Sequence, residues 1–148
     1  MTHYLAQINV AKMLAPLDAP ELIDFARNLG PINALADGSP GFVWRLVGEG
    51  NDATSLRVFD DDLMLVNLSV WTSLEALRAY VYQSQHTEML RRRREWFARM
   101  QTVHTALWWL PAGQLPSVAD AKARLDHLQE HGPTSRAFSF QNPFPAPS

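Results

Sequence analysis

The sequence predicts a single α+β domain of ferredoxin-like order, in which six elements follow one another as βαββαβ and a C-terminal αβ extension is appended. Stretches that alternate apolar and polar residues are separated, in that order, by stretches with helical spacing. The length of 148 residues suits one domain and lets a chain bury about two thirds of its unfolded surface. We expect residues 1–113 to form an antiparallel sheet with helices, and residues 114–148 to add a helix, a short strand and a Pro-rich tail.

The composition excludes several classes of protein. Hydrophobic residues make up 47% of the chain and charged residues 19%, which is typical of a globular domain. The absence of cysteine excludes a disulfide framework, a thiolate metal site and a cysteine nucleophile. A net charge of −2 gives no general attraction to nucleic acid. Since neither a secretory leader nor a run of about 18 apolar residues is present, we expect a cytoplasmic protein that does not bind membranes.

The first half of the chain begins with a strand at residues 4–10, where apolar and polar side chains alternate. Asp18 is expected to cap a helix with apolar residues at helical spacing as far as Leu29. Gly30-Pro31 should break or kink this helix, because proline lacks the amide hydrogen and clashes with the preceding turn. The turn at residues 39–41 then leads into the second strand.

Strands two and three are predicted at residues 42–47 and 63–70, as a hairpin. Thr72 and Glu75 have the spacing of a capping box, which predicts a helix directly after strand three. Helical periodicity continues, with one interruption, to Met100, so we expect one long helix or two helices joined by a bend.

The last third begins with a fourth strand at residues 105–110. Ser117 is expected to cap a helix that Gly132-Pro133 ends, and residues 136–140 have the pattern of a short fifth strand. The tail of residues 143–148 contains three prolines and should be extended and peripheral.

Both faces of strands two and three are largely apolar. In strand two, the pattern predicts Phe42, Trp44 and Leu46 on one face and Val43, Arg45 and Val47 on the other. The sheet face away from the helices therefore needs cover, which a second copy of the sheet would supply. We expect a homodimer, with the C-terminal extension as the alternative cover.

The sequence resembles a known superfamily in two motifs, Ser39-Pro40-Gly41-Phe42 before strand two and the segment 69–77 around Trp71 after strand three. Both are similar to the dimeric α+β barrel superfamily, which includes antibiotic-biosynthesis and haem-degrading monooxygenases. Residues 4–10, 59–62, His86 with 91–97, and 108–113 further resemble domain of unknown function 3291, a bacterial family of that superfamily. The resemblance implies a dimeric α+β barrel.

The resemblance also implies a site. In the cofactor-independent and haem-degrading monooxygenases, an Asn on the first strand, a Trp after the third strand and a His on the next helix line one cavity. Asn9, Trp71 and His86 occur here in that order, although His86 lies further from Trp71 than in those enzymes. In the structural alternative, Trp71 packs the strand–helix corner, Asn9 bonds backbone and His86 is a satisfied, half-buried side chain.

The helix that carries His86 strengthens the functional interpretation. Residues at helical spacing form one stripe: His86, Met89, Leu90, Arg93, Phe97 and Met100. Ionisable groups that interrupt an apolar stripe indicate a paired network or a cavity, because burial without partners costs several kcal/mol. We expect catalytic roles for His86, Arg93, Asn9 and Trp71. Ligand contacts are expected from Gln7, Trp44, Asn67, Tyr82 and Phe97.

Other charged or titratable groups are assigned structural roles. Residues 91–94 are expected to form a solvated helix in which Arg91 pairs with Glu95, and residues 60–62 a solvated loop. His104 and the remaining histidines show no metal-ligand spacing.

The leading hypothesis is an enzyme on a small organic or aromatic substrate, of the cofactor-independent oxygenase, isomerase or dehydratase type. His86 would be the general acid or base and Arg93 an anion clamp, with Asn9 and Trp71 as orienting donors. No cofactor is expected. The alternatives are a non-catalytic binder of haem or another planar hydrophobic ligand, and a structural dimeric module.

Overall fold

A computed structural model describes residues 2–15, 19–46, 64–82, 91–98 and 104–147. Its four strands are β1 (His3–Lys12), β2 (Phe42–Arg45), β3 (Met64–Trp71) and β4 (Thr105–Pro111). They form one antiparallel sheet in the order β2-β3-β1-β4. The helices are α1 (Ile23–Asp37), α2 (Leu74–Val81), α3 (Arg93–Trp96) and α4 (Val118–His131), and a 3₁₀ turn, Pro20–Leu22, precedes α1. This confirms the predicted α+β fold of ferredoxin-like order, and among the described helices none is long and apolar enough to cross a membrane.

The central strand β1 divides the molecule into two layers. Ala6, Ile8 and Val10 point to one face, where α4 packs on β1 and β4 through Ala121, Leu125 and Leu128. We call this the α4 face. Leu5, Gln7 and Asn9 point to the opposite face, which we call the cavity face, where α2 and the end of α1 pack.

Cover for the α4 face comes in part from the chain itself. Helix α4 lies over β1 and β4, so the C-terminal extension takes a role that the sequence pattern also allowed for a second copy. Trp44, Met64 and Val66 on β2 and β3 are only half-buried on this face. The homodimer remains a prediction.

Helix α1 runs through Pro31, so of the predicted break or kink at Gly30-Pro31 the break does not occur. The residue before a proline normally avoids helical angles because its Cβ meets the proline ring. Gly30 has no Cβ, which removes that clash. Buried Phe25 and Ala36, one on each side of the proline, hold both halves of the helix against neighbouring elements.

Strand β2 contains a bulge that changes the predicted alternation. Phe42 pairs with Trp71, but Trp44 pairs with Val70 and Arg45 with Ser69, and the register shifts between Phe42 and Trp44. One extra residue in a strand reverses the facing of everything beyond it. Phe42 and Arg45 therefore share the cavity face, while Trp44 lies on the α4 face, contrary to the simple alternation.

Helix α2 begins one residue later than the capping-box spacing predicts. Ser73 is the N-cap, and its hydroxyl accepts a hydrogen bond from the Ala76 amide at 3.1 Å. Thr72 instead donates its own backbone N–H to the Gly41 carbonyl at 2.8 Å. The start of α2 is therefore tied to the turn before β2.

The predicted helix up to Met100 is wrong at its end. Helix α3 stops at Trp96, and Phe97 forms a β-bridge with Met13, supported by the Ala98 amide bond to the Lys12 carbonyl at 2.8 Å. Trp96 is buried, and its ring centroid lies 5.4 Å from that of Phe25. This tertiary packing outweighs the helical propensity of the residues that follow.

The arginine run contributes to the same corner. Arg92 binds Glu95 with two hydrogen bonds, at 2.8 and 2.9 Å, and Asp24 of α1 at 2.9 Å. It therefore links α3 to the start of α1. Residues 60–62 lie outside the described residues.

The C-terminal segment confirms the predicted cap and end of α4. Ser117 accepts the Asp120 amide at 3.0 Å, and Gly132 ends the helix with φ of 76°. The expected fifth strand is reduced to a single bridge, in which Phe138 and Leu107 exchange two backbone hydrogen bonds at the free edge of β4. The tail is extended but anchored, because Trp109 Nε1 donates to the Phe144 carbonyl at 2.8 Å.

Substitution of Gly41 by Ala is expected to destabilise the fold strongly. Gly41 has φ of 83°, and a Cβ there would overlap the Cβ of Ala76 and lie 2.7 Å from Thr72 Oγ1. Positive φ costs a non-glycine residue about 1–2 kcal/mol, and overpacking adds about 1–3 kcal/mol. Urea unfolding should therefore show a loss of about 2–5 kcal/mol.

Gly113→Ala is the matched control, because Gly113 has φ of 95° with open space around the added Cβ. Its loss should be limited to the backbone cost. Equal losses in the two variants would contradict the packing argument for Gly41.

Candidate functional site

A cavity of about 220 Å³ lies between the cavity face of the sheet, the helices α1 and α2, and the C-terminal segment. Its sheet side is a row of polar residues: Gln7, Asn9, Asn67, Ser69 and Thr105. Its other described walls combine aromatic, ionisable and small groups: Phe42, Trp71, Tyr80, Phe140, Arg45, His104, Asn33, Ala36, Leu77 and Val81. Such a mixture, with polar groups converging on one side of an apolar pocket, is typical of small-molecule sites.

A buried hydrogen-bond network forms the floor of the cavity. Gln7 Nε2 donates to Ser69 Oγ at 2.8 Å, and Trp71 Nε1 donates to the same oxygen at 2.9 Å. Gln7 Nε2 also lies 3.5 Å from Asn67 Oδ1. Gln7, Ser69 and Trp71 are all buried. A serine oxygen accepts two hydrogen bonds and donates one, so the Ser69 hydroxyl hydrogen is left to donate.

The amide side chains extend this floor toward solvent. Asn9 lies opposite Asn67 on β3 and opposite Thr105 on β4 in the sheet register. Both asparagines are exposed, whereas Gln7, two residues along β1, is buried. The polar row therefore runs from the exposed mouth of the cavity to its buried end.

Three aromatic rings pack together at the buried end of the cavity. Trp71 lies between Tyr80, whose ring is stacked on it at 5.1 Å and 26°, and Phe42, whose ring meets it edge-on at 5.4 Å. Trp71 is only 1% exposed. The arrangement fixes the indole plane and lines this end of the cavity with aromatic side chains.

Tyr80 lines the cavity as a neutral phenol. Burial raises the pKa of Tyr80 from 10.0 to about 12; the Arg45 cation works against this shift and the Asp37 carboxylate adds to it. Below that pH the side chain keeps its hydroxyl hydrogen.

Arg45 is held at the edge of the cavity by an ion pair. Its Nε and Nη2 donate to the two carboxylate oxygens of Asp37 at 2.8 and 3.2 Å. The hydrogen bond with Arg45 lowers the pKa of Asp37, and the same bond raises the pKa of Arg45. Both groups therefore stay charged at neutral pH.

The structure brings four of the residues singled out in the sequence to this cavity: Gln7, Asn9, Asn67 and Trp71. His86 lies outside the described residues. Arg93 belongs to α3, but its side chain is not among those described. The predicted stripe from His86 to Met100 on one helix face does not persist, because α3 ends at Trp96.

Three expected ligand contacts lie elsewhere in the described structure. Trp44 packs on the α4 face, because the bulge in β2 turns it away from the cavity. Tyr82 is 71% exposed at the end of α2. Phe97 packs edge-on against Phe25 at 4.9 Å, in the cluster beneath α1. The structure therefore does not bring these three residues to this cavity, and their ligand contacts remain a prediction.

Several lining residues were not expected from the sequence. Ser69 shares the strand-three face of Asn67, so the alternation already contained its signal. Arg45 was assigned to the wrong face because a bulge leaves no mark in the alternation. His104, which precedes Thr105, and Phe140 lie far in sequence from the lining residues of β1, β2 and β3, and they reach the cavity only through the fold.

The chain matches one protein-family model over almost its whole length. A family model described as domain of unknown function DUF3291 matches residues 4–148. The chain therefore belongs to the DUF3291 family, as the motifs indicated. No curated protein matches the sequence.

Solved structures share the fold at low identity. PA3566 from Pseudomonas aeruginosa is 14% identical over 74% of this chain and 94% of its own, with a TM-score of 0.51. NE2512, a protein of unknown function from Nitrosomonas europaea, is 14% identical over 78% of this chain and 97% of its own, also at 0.51. SnoaB, a cofactor-independent oxygenase from Streptomyces nogalater, is 20% identical over 76% of this chain and 96% of its own, at 0.46.

Substitution of Ser69 by Ala should destabilise the floor of the cavity. The change removes the acceptor shared by Gln7 and Trp71, and a buried donor without a partner costs about 1–3 kcal/mol. Urea unfolding measures the loss. Thr105→Val is the control, because Thr105 lines the same cavity outside this network. Equal losses of unfolding free energy in the two variants would contradict a specific contribution of the network to stability.

Substitution of Tyr80 by Phe should change the alkaline titration. The folded pKa of about 12 exceeds the unfolded value of 10.0, so the stability due to neutral Tyr80 is complete below pH 10 and is lost as the pH rises through 12. In Tyr80→Phe, the alkaline titration followed by phenolate absorbance should lack its last step. Between pH 10 and 12, the free energy of unfolding of this variant should fall less than that of the wild type. Exposed Tyr82 provides the control; if Tyr82→Phe removes the latest step instead, the assignment is wrong.

Proposed function

We propose that the protein is an enzyme that binds a small planar organic molecule in this cavity and acts on it as a phenolate or enolate, without an organic cofactor. The observation that carries the proposal is the Ser69 hydroxyl. Gln7 and Trp71 fill both of its acceptor positions, so its hydrogen is fixed as a donor in the floor of the cavity. A donor oriented before the ligand arrives stabilises negative charge on oxygen with little reorganisation.

The aromatic wall supports a planar substrate. Phe42, Trp71 and Tyr80 line the same cavity as the polar row, so an aromatic ligand would contact aromatic side chains while its oxygen meets the sheet-side donors. The superfamily resemblance supports the same chemistry, since Asn9 and Trp71, two of the three residues that it implies, share the cavity.

A base is needed to form the anion. His104 lines the cavity, and a neutral imidazole accepts a proton near pH 7. His86 is the candidate that the sequence and the resemblance supply. The two histidines are therefore rival bases, and Arg93 keeps its proposed role as an anion clamp in the His86 alternative.

The size of the cavity favours a small substrate over haem. Pockets for drug-sized ligands measure roughly 300–1,000 Å³, and this cavity is about 220 Å³. A haem macrocycle is larger than most such ligands. The alternative of a haem-binding protein is therefore less well supported than that of an enzyme on a small molecule.

The proposal is tested with 1-naphthol and naphthalene as probes that differ by one hydroxyl. We expect 1-naphthol to bind more tightly in fluorescence titration, and Ser69→Ala to weaken its binding about 2- to 10-fold, as for one hydrogen bond. Oxygen uptake then tests oxygenation, in which 1-naphthol and one O₂ give 1,4-naphthoquinone and water. The base is identified by comparing His104→Gln with His86→Gln. The histidine whose substitution lowers turnover is the base.

Two results would count against the proposal. If neither probe binds or raises the melting temperature, the cavity is not a ligand site and a structural role is favoured. If haem titration gives a Soret band that one histidine variant abolishes, the haem-binding alternative replaces the enzyme. Proton exchange without oxygen uptake would retain the enzyme and assign it to the isomerase or dehydratase class.

A further inference from the structure

We propose that Arg45 binds a carboxylate of the substrate, so that the site takes planar molecules with a carboxylate next to a hydroxyl, such as ortho-hydroxy aromatic acids. This inference rests on the proposed function and names the class of substrate for the same cavity.

The position of Arg45 is set by the backbone. The bulge in β2 turns Arg45 to the cavity face, directly across from Ser69 in the sheet register. Side chains on directly opposed residues have Cβ atoms about 4.5–5.5 Å apart. A ligand that accepts the Ser69 hydroxyl hydrogen on one oxygen therefore brings a neighbouring substituent to the guanidinium.

The guanidinium is oriented and still has donors to offer. Asp37 takes one hydrogen from Nε and one from Nη2, at 2.8 and 3.2 Å. Arginine has five N–H donors, so three remain for a second acceptor. The side chain is 24% exposed, which leaves it partly shielded from water at the edge of the cavity. A planar, pre-oriented fork of this kind is suited to a carboxylate.

The described lining of the cavity contains no carboxylate that would repel an anion. Among the described residues that line it, none is Asp or Glu, and Arg45 is the residue with a permanent positive charge. Asp37 balances that charge from outside the lining. Tyr80, which also lines the cavity, is a neutral phenol at physiological pH. Within the part of the chain that the structure describes, an incoming carboxylate thus competes with Asp37 alone, and it meets the Arg45 donors that Asp37 does not use.

The test compares 1-hydroxy-2-naphthoate with its primary amide, which has the same shape without the charge. We expect the wild-type protein to bind the carboxylate about 10- to 100-fold more tightly, the range of charge-assisted hydrogen bonds. Arg45→Gln should abolish this preference and retain affinity for the amide. Arg45→Lys should keep part of it, because the charge remains but the fork is lost.

Asp37→Asn separates ligand binding from a purely structural ion pair. It replaces one of the two acceptor oxygens by an NH2 group, which frees one more guanidinium donor, and it removes a nearby negative charge. The preference for the carboxylate should therefore increase even as the melting temperature falls. Arg124→Gln, on the α4 face, controls for a general effect of removing a positive charge.

The outcomes separate this inference from the proposed function. If both naphthyl compounds bind with equal affinity, or if the Asp37 and Arg45 variants change only stability, Arg45 does not bind an anion, whereas the cavity remains a ligand site. If neither compound nor 1-naphthol binds the wild-type protein, the proposed function itself fails.

Discussion

The alternation of the central strand is the constraint on which the rest of the structure depends. β1 pairs with β3 on one side and β4 on the other, so the facing of its residues sets the facing of both neighbours. Ala6, Ile8 and Val10 commit one face to apolar packing with α4. Gln7 and Asn9 then necessarily point to the other face, between the sheet and the helices. A shift of one residue would bury these amides in the apolar layer.

The buried amide of Gln7 in turn explains why the opposite strand is polar at the same level. A buried amide without partners costs about 1–3 kcal/mol. Ser69, directly across the ladder, provides the acceptor, and it also accepts from Trp71. The same bonds that satisfy the core therefore fix a hydroxyl in the cavity. One network therefore satisfies the buried donors and fixes the position of the Ser69 oxygen.

The sequence predicted most of what depends on local pattern and little of what depends on a single irregular residue. The strands, the cap at Ser117 and the amides of the cavity face followed from periodicity and capping chemistry. The bulge in β2 places Arg45, and not Trp44, on the cavity face. The sequence did not predict this, because an inserted residue cannot be recognised in an alternation of only four residues. Helix α1 continued through Pro31 because tertiary packing and the preceding glycine outweigh proline's local cost.

The C-terminal extension connects the two layers. Helix α4 covers the apolar face, and the chain then passes the free edge of β4, where Phe138 pairs with Leu107. Beyond that edge Phe140 becomes a wall of the cavity, held by the Arg78 hydrogen bond to its carbonyl at 3.4 Å. The segment that completes the core on one side thus closes the cavity on the other. The six-element core supplies the polar floor of the cavity, while the extension supplies the wall at Phe140 and so limits the size of the cavity.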